Sequence, residues 1–287
     1  MAVRPTPATL GATVTGVNLA RLDARTWQRI EAAFHEHALL IFPGQHLGDA
    51  EQAAFARRFG NLEILVEGHE SVPLSNQRPD GSLRDDDDHV MQVLRGNEGW
   101  HTDSSYMPLA AKASVLSAQV VPESGGETEW ADMRAAFDAL APATRERIRD
   151  LAAYHSLHHS QAKIGHVAET GTSYGFHDEA PPLRPLVKVH PVTGRPSLFV
   201  GRHAYGIPGL PPADSEALLD DLVTFACQPP RTWMHRWRPG DVVVWDNRCV
   251  LHRARPYDRR EPRVMRHTRV AGDRASELGV TDQQARS

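Results

Sequence analysis

Between residues 23 and 38 the chain reads "DARTWQRIEAAFHEHA", with Trp27, Ile30, Ala33 and Phe34 recurring at helical intervals. That interval places them on one face, so the segment is predicted as an amphipathic helix. Just before it, "TLGATVTGVNLARL" reads as a short strand, a glycine turn and a second strand. Just after it, "LLIFPG" is an unbroken apolar run closed by Pro-Gly, the pattern of a buried strand. "GDAEQAAFARRFG" predicts a second helix, with Asp49 as its cap and Gly60 at its C-terminal end.

Residues 64–99 lose this rhythm, being mostly polar, glycine-bearing and acidic. They are read as a long loop leading into residue 100, and loops of that length are often active-site lids. The four aspartates Asp85 to Asp88 read as solvated loop. A calcium loop of the EF-hand kind would alternate its ligands and end in a glutamate.

Beyond residue 110 the pattern turns to strands. "ASVLSAQVV" is one, and "PESGGETEWADMRAAFDAL" is a glycine turn, a short strand and a helix. "ATRERIRDLAAYHSL" is predicted as a further helix, and "PLVKVHPVTGRPSLFVG" as a hairpin turning at Thr193-Gly194. "SEALLDDLVTFACQ" is a helix, "WRPGDVVVWDN" a turn into a β-branched strand, and "RVMRHTRVAG" a last strand. Short strands with helices outside their sequence, and no βαβ rhythm, indicate a mainly β fold with flanking helices. The expected architecture is a sandwich or jelly roll rather than a doubly wound sheet. No glycine-rich dinucleotide or phosphate loop is present.

Composition adds exclusions. A formal net charge of −4 offers no electrostatic case for a nucleic-acid partner. Two cysteines make no disulfide framework and fit a reducing cytoplasm. The N-terminus has no apolar signal-peptide core, and no apolar run is long enough for a membrane span, so neither secretion nor a membrane is expected. Sixteen histidines raise the prospect of a metal site.

"WHTDSSY", residues 100–106, makes that prospect specific. On an extended segment His101 and Asp103 point to one face and can share an ion. A third ligand must come from elsewhere, and His252 in "WDNRCVLHRARPYD" is the best candidate. Two histidines and a carboxylate form the facial triad of non-heme Fe(II) oxygenases, which leaves positions open for cosubstrate and oxygen. A structural metal in a binding module would use the same three groups. So would a zinc hydrolase, but that would need a general-base carboxylate in a motif such as H-E-x-x-H, which is absent.

At these residues the chain resembles the taurine dioxygenase-like branch of the Fe(II)/2-oxoglutarate-dependent dioxygenases. The resemblance spans nearly the whole chain, through "LGATVTGVNL", "ALLIFPGQ", "FARRFG", "WHTDSSY", "SGGETEWADMRAAFDAL", "KVHPVTGRPSLFVG", "WDNRCVLHRA" and "PRVMRHTRVAG". It implies one dioxygenase domain over residues 1–287 with a double-stranded β-helix (jelly-roll) core. His101, Asp103 and His252 would hold Fe(II). Thr128 and Arg263 would take the far carboxylate of 2-oxoglutarate, with O2 as the other cosubstrate. A planar guanidinium suits that carboxylate because it donates two parallel hydrogen bonds. Trp100, Trp245, Asp246 and Asn247 also fall in the resemblance, in structural or ligand-supporting roles. A cytoplasmic homo-oligomer is expected on the same basis.

The last strand bears on the substrate. If Arg263 faces inward, alternation turns Met265, His267 and Arg269 inward as well and Arg266 outward. The taurine enzyme grips sulfonate with an arginine four places beyond its 2-oxoglutarate arginine; here that position is His267, which argues against taurine. Within the branch the chain is most similar to the aryloxyalkanoate dioxygenases, through "SYMP", "PLRPLVKVHP", "GRHA" and "GDVVVWDNRC". That likeness implies hydroxylation of (S)-2-phenoxypropionates such as dichlorprop and mecoprop, or of 2,4-D-type phenoxyacetates, with release of a phenol. Arg202 and Arg269 would hold the substrate carboxylate. Tyr106, Met107 and the stretch from Leu65 to Val72 are candidates for the aryl slot. The same chemistry on an alkylsulfate, a sulfonate or another small carboxylate is the rival reading.

Overall fold

The computed structural model describes residues 1–280. In chain order its elements are β1 (Ala2–Pro5), β2 (Ala12–Thr15), α1 (Ala24–His37), β3 (Leu39–Phe42), α2 (Asp49–Ala56), β4 (Leu62–Glu63), β5 (Val72–Ser75) and α3 (His89–Gly96). Then follow β6 (Ala111–Val120), β7 (Thr128–Asp132), α4 (Met133–Ala139), α5 (Pro142–Ile148), β8 (Ala152–His155), α6 (Leu157–Ala162), β9 (Leu183–Pro185), β10 (Val187–Val189), β11 (Pro196–Leu198) and β12 (Ala204–Tyr205). The chain continues through α7 (Pro212–Ala226), β13 (Thr232–His235), β14 (Val242–Asp246), β15 (Val250–Ala254), β16 (Val264–Ala271) and α8 (Arg274–Glu277).

The major sheet runs β1-β2-β3-β14-β6-β16-β4, with β5 also on β16. A minor sheet, β13-β7-β15, faces it, and Trp130 of β7 packs against Trp245 of β14 at 5.8 Å. Three apolar layers hold this jelly roll together. Between the sheets lie Leu39, Ile41, Leu116, Trp130, Val243, Trp245 and Met265. On the outer face of the major sheet, Leu40, Val115, Val242 and Val244 meet Ile30 and Phe34 of α1 and Phe55 of α2. Outside the minor sheet, Ala131 and Leu251 meet Leu218 and Leu222 of α7. A strand buried on both faces needs no polar alternation, which is why "DVVVW" reads as a solid apolar run.

The structure revises four readings. Residues 17–22 are turn, not a second strand, because β2 already has β1 on one side and β3 on the other. Asp49 does not cap α2: Gly48 does, its N–H donating to the Glu51 carboxylate, while Asp49 pairs with Arg266. The helix over 143–157 stops at Ile148, and Ala152–His155 becomes β8, flanked by β9 and β12. Tertiary pairing there outweighs the helical preference of Leu and Ala. Residues 64–99 contain β5 and α3, and Asp88 caps α3 while taking Arg78 and Arg84.

Candidate active site

His101 is added to the open edge of β15. Its N–H donates to the His252 carbonyl (3.0 Å), and the His252 N–H donates to its carbonyl (2.7 Å). The segment is extended for that one bridge only; a turn begins at Asp103, and Ser104 takes a left-handed φ of 54°. Such a backbone is strained for a residue with a Cβ and needs its surroundings to hold it. Here that turn swings the Asp103 carboxylate back toward the histidines. The ligand atoms of His101, Asp103 and His252 all lie within 4.8 Å of one another, and all three residues are buried.

The donor set is electrically ready for a cation. Burial pushes the His101 imidazole down to about 4 and holds His252 well below the usual histidine range, so both are neutral near pH 7. Burial alone would keep Asp103 protonated, but the Arg269 guanidinium beside it holds it well below the usual carboxylate range. His101 Nδ1 sits 2.8 Å from the Gly99 carbonyl. That contact takes its proton and leaves Nε2 as the free lone pair. Two neutral imidazoles and one ionised carboxylate suit a divalent cation.

Two clefts meet at this cluster. One, with about 750 Å³ of open space, is lined by Thr128, Arg263, Tyr257 and α3 residues Met91 and Leu94. Arg263 is buried, its Nε and Nη2 donating to the Gly126 carbonyl at 3.1 and 3.0 Å. Thr128 Oγ1 accepts from Trp237 Nε1 at 3.0 Å, so its own proton remains for an incoming anion. The other cleft is lined by Leu65, Val66, Val72, Tyr106, Tyr174, Arg202 and His203. Leu74, Asn97, His101, Asp103 and Arg269 belong to both.

His101, Asp103, His252, Thr128, Arg263, Arg202, Arg269, Tyr106 and Trp245 all line one or both clefts, whereas Met107, Trp100, Asp246 and Asn247 line neither. Met265, His267 and Arg269 do face inward, and Arg266 points out to Asp49. Arg269 is more engaged than its sequence position suggests. Its Nη2 is 2.9 Å from Asp103 Oδ1, and its Nη1 donates to Ser104 Oγ at 3.0 Å. Arg202 donates to the Ser160 carbonyl at 2.8 Å, and its stem passes Gly99, where a Cβ would lie 3.1 Å from Arg202 Cδ.

Sequence motifs and this geometry now meet a direct comparison. The family model described as "Taurine catabolism dioxygenase TauD, TfdA family" matches residues 2–269. The chain belongs to this family. It is 56% identical, over 97% of both chains, to the (S)-phenoxypropionate/alpha-ketoglutarate-dioxygenase of Sphingobium herbicidovorans. It is 40% identical to the alpha-ketoglutarate-dependent 2,4-dichlorophenoxyacetate dioxygenase of Cupriavidus pinatubonensis, over 86% of this chain and 88% of that one. Among solved structures, AAD-2 in complex with Mn(II) and N-oxalylglycine superposes with a TM-score of 0.90 at 37% identity, covering 98% of this chain and 100% of that one. No helix among the described residues is long and apolar enough to cross a membrane.

Three groups in this TauD, TfdA family member escaped the sequence reading. Ser114 on β6 donates to Asp103 Oδ2 at 2.6 Å. Its signal was a hydroxyl on the inward face it shares with Leu116. Glu63 accepts from Ser104 Oγ at 2.8 Å and from the Tyr174 hydroxyl, joining two loops. His203 stands 5.8 Å from the His101 ring. Glu63 has no local pattern that marks it, and His203, inside "GRHA", was passed over beside Arg202.

A second trio, the half-buried His35 with the buried His190 and Asp246, also brings ligand atoms together. His190 Nδ1 accepts from the Val192 and Thr193 N–H groups, so its proton sits on Nε2 and is donated to Asp246 at 3.0 Å. Arg248 already neutralises that carboxylate through two hydrogen bonds. With both His190 nitrogens engaged and a guanidinium resident on Asp246, this trio is a buckle for the Val192–Thr193 turn, and only His35 keeps an unpartnered ring nitrogen, Nδ1.

Proposed function

We propose that the protein is a 2-oxoglutarate-dependent dioxygenase that hydroxylates the carbon between the ether oxygen and the carboxylate of an aryloxyalkanoate. (S)-2-phenoxypropionates such as dichlorprop and mecoprop, and 2,4-D-type phenoxyacetates, are its substrate class. The carrying observation is that three buried groups able to ligate a cation sit where two clefts meet, one lined by Thr128 and Arg263 and the other by Arg202 and Arg269. The likeness to the Sphingobium enzyme supports the same substrate class.

His101, Asp103 and His252 would hold Fe(II), and their neutral imidazoles and ionised carboxylate fit that role. With the metal, 2-oxoglutarate and O2 bound, the site supplies an oxidant able to hydroxylate a C–H bond, with succinate and CO2 as by-products. Everything else is positioning. Arg263 offers a buried guanidinium and Thr128 a hydroxyl to the far carboxylate of 2-oxoglutarate. Arg202 and Arg269 offer charge to the substrate carboxylate, which leaves the ring for the apolar wall of Leu65, Val66, Val72 and Tyr106. Hydroxylation makes a hemiketal or hemiacetal, which collapses to a phenol and pyruvate or glyoxylate.

In this reading residues 1–287 form one catalytic domain, and residues 64–99 are its lid, with α3 roofing both clefts. Arg259 ties that lid to the β15–β16 connection through Asp86 and Glu98. A cytoplasmic homo-oligomer completes the proposal, on family likeness. The test is to supply metal-free protein with Fe(II), ascorbate and 2-oxoglutarate in air. Succinate and a phenol should both appear on adding racemic dichlorprop. Succinate that dichlorprop does not raise, without phenol, would keep the oxygenase and move the substrate to sulfates or sulfonates.

A further inference from the structure

The carboxylate of Asp103 is gripped through a chain of groups that reaches three strands away. Trp245 on β14, Ser114 on β6 and Arg269 on β16 are direct cross-strand neighbours, Trp245 opposite Ser114 and Ser114 opposite Arg269. Directly opposed residues project to the same side of a sheet, so all three face the interior beneath Asp103. Ser114 is fully buried.

The direction of each hydrogen bond in this row is set by chemistry. Trp245 Nε1 can only donate, and it lies 2.9 Å from Asn247 Oδ1. That contact fixes the orientation of the amide. The Asp103 backbone N–H agrees with it, donating to the same oxygen at 3.3 Å. Asn247 Nδ2 is therefore turned to Ser114 Oγ, 2.9 Å away, and donates to it. With its lone pair so engaged, the Ser114 hydroxyl aims its proton at Asp103 Oδ2, 2.6 Å away, where an ionised carboxylate can only accept. Arg269 takes the other oxygen, Oδ1, at 2.9 Å.

We infer that Trp245, Asn247 and Ser114 form a one-way hydrogen-bond relay whose purpose is to set the rotation of Asp103 as a metal ligand, with Ser114 as the positioning residue in contact with it. This rests on the reading of His101, Asp103 and His252 as the metal site. A carboxylate free to rotate offers either oxygen, or both, to a cation. One held on each oxygen by a donor cannot rotate, and it keeps one free lone pair on each oxygen in a fixed direction. Supporting hydrogen bonds of this kind are worth about 10–100-fold in metal affinity. The relay also ties the "WDN" strand end to the metal loop, since Thr102 Oγ1 donates to the Asn247 carbonyl at 2.8 Å.

A second serine three positions along the same strand supplies a control. Ser117 is as deeply buried on the same strand, but its hydroxyl faces the other way and donates to Gln52 Oε1. Mn(II) binding to metal-free protein would be followed by the electron paramagnetic resonance of the free ion, together with the melting-temperature rise that Mn(II) produces. Ser114→Ala should weaken Mn(II) binding about 10–100-fold and shrink that rise, while Ser117→Ala should match the parent within about twofold. Ser114→Cys keeps the side-chain bulk but donates weakly, so it should fall between them; it serves if the alanine variant does not fold. With Fe(II) saturating, Ser114→Ala should lower kcat and leave the aryloxyalkanoate KM unchanged. Equal Mn(II) affinity in folded Ser114→Ala and parent would overturn the relay and leave the dioxygenase reading intact. A parent protein that binds no Mn(II) would bring down both together.

Discussion

The two clefts that meet at Asp103 are built differently. The one holding Thr128 and Arg263 stands on strands: Thr128 opens β7, which is paired on both sides by β13 and β15, and Arg263 directly precedes β16. The one holding Arg202 and Tyr174 stands mostly on connections: residues 64–71, the stretch between α6 and β9, and the turn after β11. Ladder hydrogen bonds fix the first set to fractions of an ångström, whereas loops vary and move. The difference separates constant chemistry from adjustable selection. Metal and cosubstrate need invariant geometry; the substrate needs a wall that can be recut.

Substitutions should reproduce that separation. The largest effect is expected at the junction: His252→Ala should abolish Mn(II) binding, and with it succinate and phenol release, because no other buried imidazole stands in its place on β15. Loss of phenol alone, with succinate formation retained, would break the assignment.

On the strand side, Arg263→Gln should raise the 2-oxoglutarate KM by roughly a hundredfold, about 3 kcal/mol for unpairing a buried charge. Mn(II) affinity and the aryl substrate KM should hold. If the aryl KM moves as much, the two clefts are not separate.

On the loop side, Tyr174→Phe removes the hydroxyl that reaches Glu63. One such hydrogen bond is worth about 1 kcal/mol, so the aryl substrate KM should rise about fivefold with the 2-oxoglutarate KM unchanged. A matching rise in both would place Tyr174 in the shared scaffold.

The last effect is on stability alone and leaves the two clefts untouched. His155 on β8 is buried with neither ring nitrogen partnered, and burial holds it well below the usual histidine range. Unfolded, it takes a proton near pH 6.5; folded, it does so only at lower pH. The unfolded state therefore binds more protons below about pH 6.5, and stability falls as pH drops through that point. His155→Leu should flatten this fall, by at most about 1.4 kcal/mol per pH unit, read as melting temperature between pH 7 and 5. An unchanged slope would show that the fall arises from other buried histidines, such as His203.

The two clefts also differed in how far they could be read from sequence. The strand side was legible because burial leaves periodic marks. "DVVVWDN" announces a doubly covered strand, and alternation along "RVMRHTRVAG" sorts Met265, His267 and Arg269 from Arg266 without a structure. The loop side was not. Residues 64–99 were read for their polarity, and α3 hid inside them because its apolar residues, Val90, Met91, Val93 and Leu94, occupy only eight positions between polar flanks. Glu63 and Tyr174 lie 111 positions apart, and nothing local tells either of the other. β8 was misread because its sheet partners, β9 and β12, come later in the chain.

By itself the sequence determined the mainly β class, the helices that cover it, and which side chains could serve as metal ligands and anion clamps. Fold class and helices follow from periodicity, and the His101–Asp103 pair from residue chemistry, both acting over a few positions; Thr128, Arg263, Arg202 and Arg269 were marked only by the family resemblance. Only the tertiary structure decided that the His101–Asp103 segment is a single bridge and a strained turn rather than a strand, that Arg269 grips Asp103, and that Ser114 stands between Trp245 and Arg269. Those are matters of register among β6, β14 and β16, the first of them more than a hundred residues from the other two, and register is set by pairing partners that no local pattern contains.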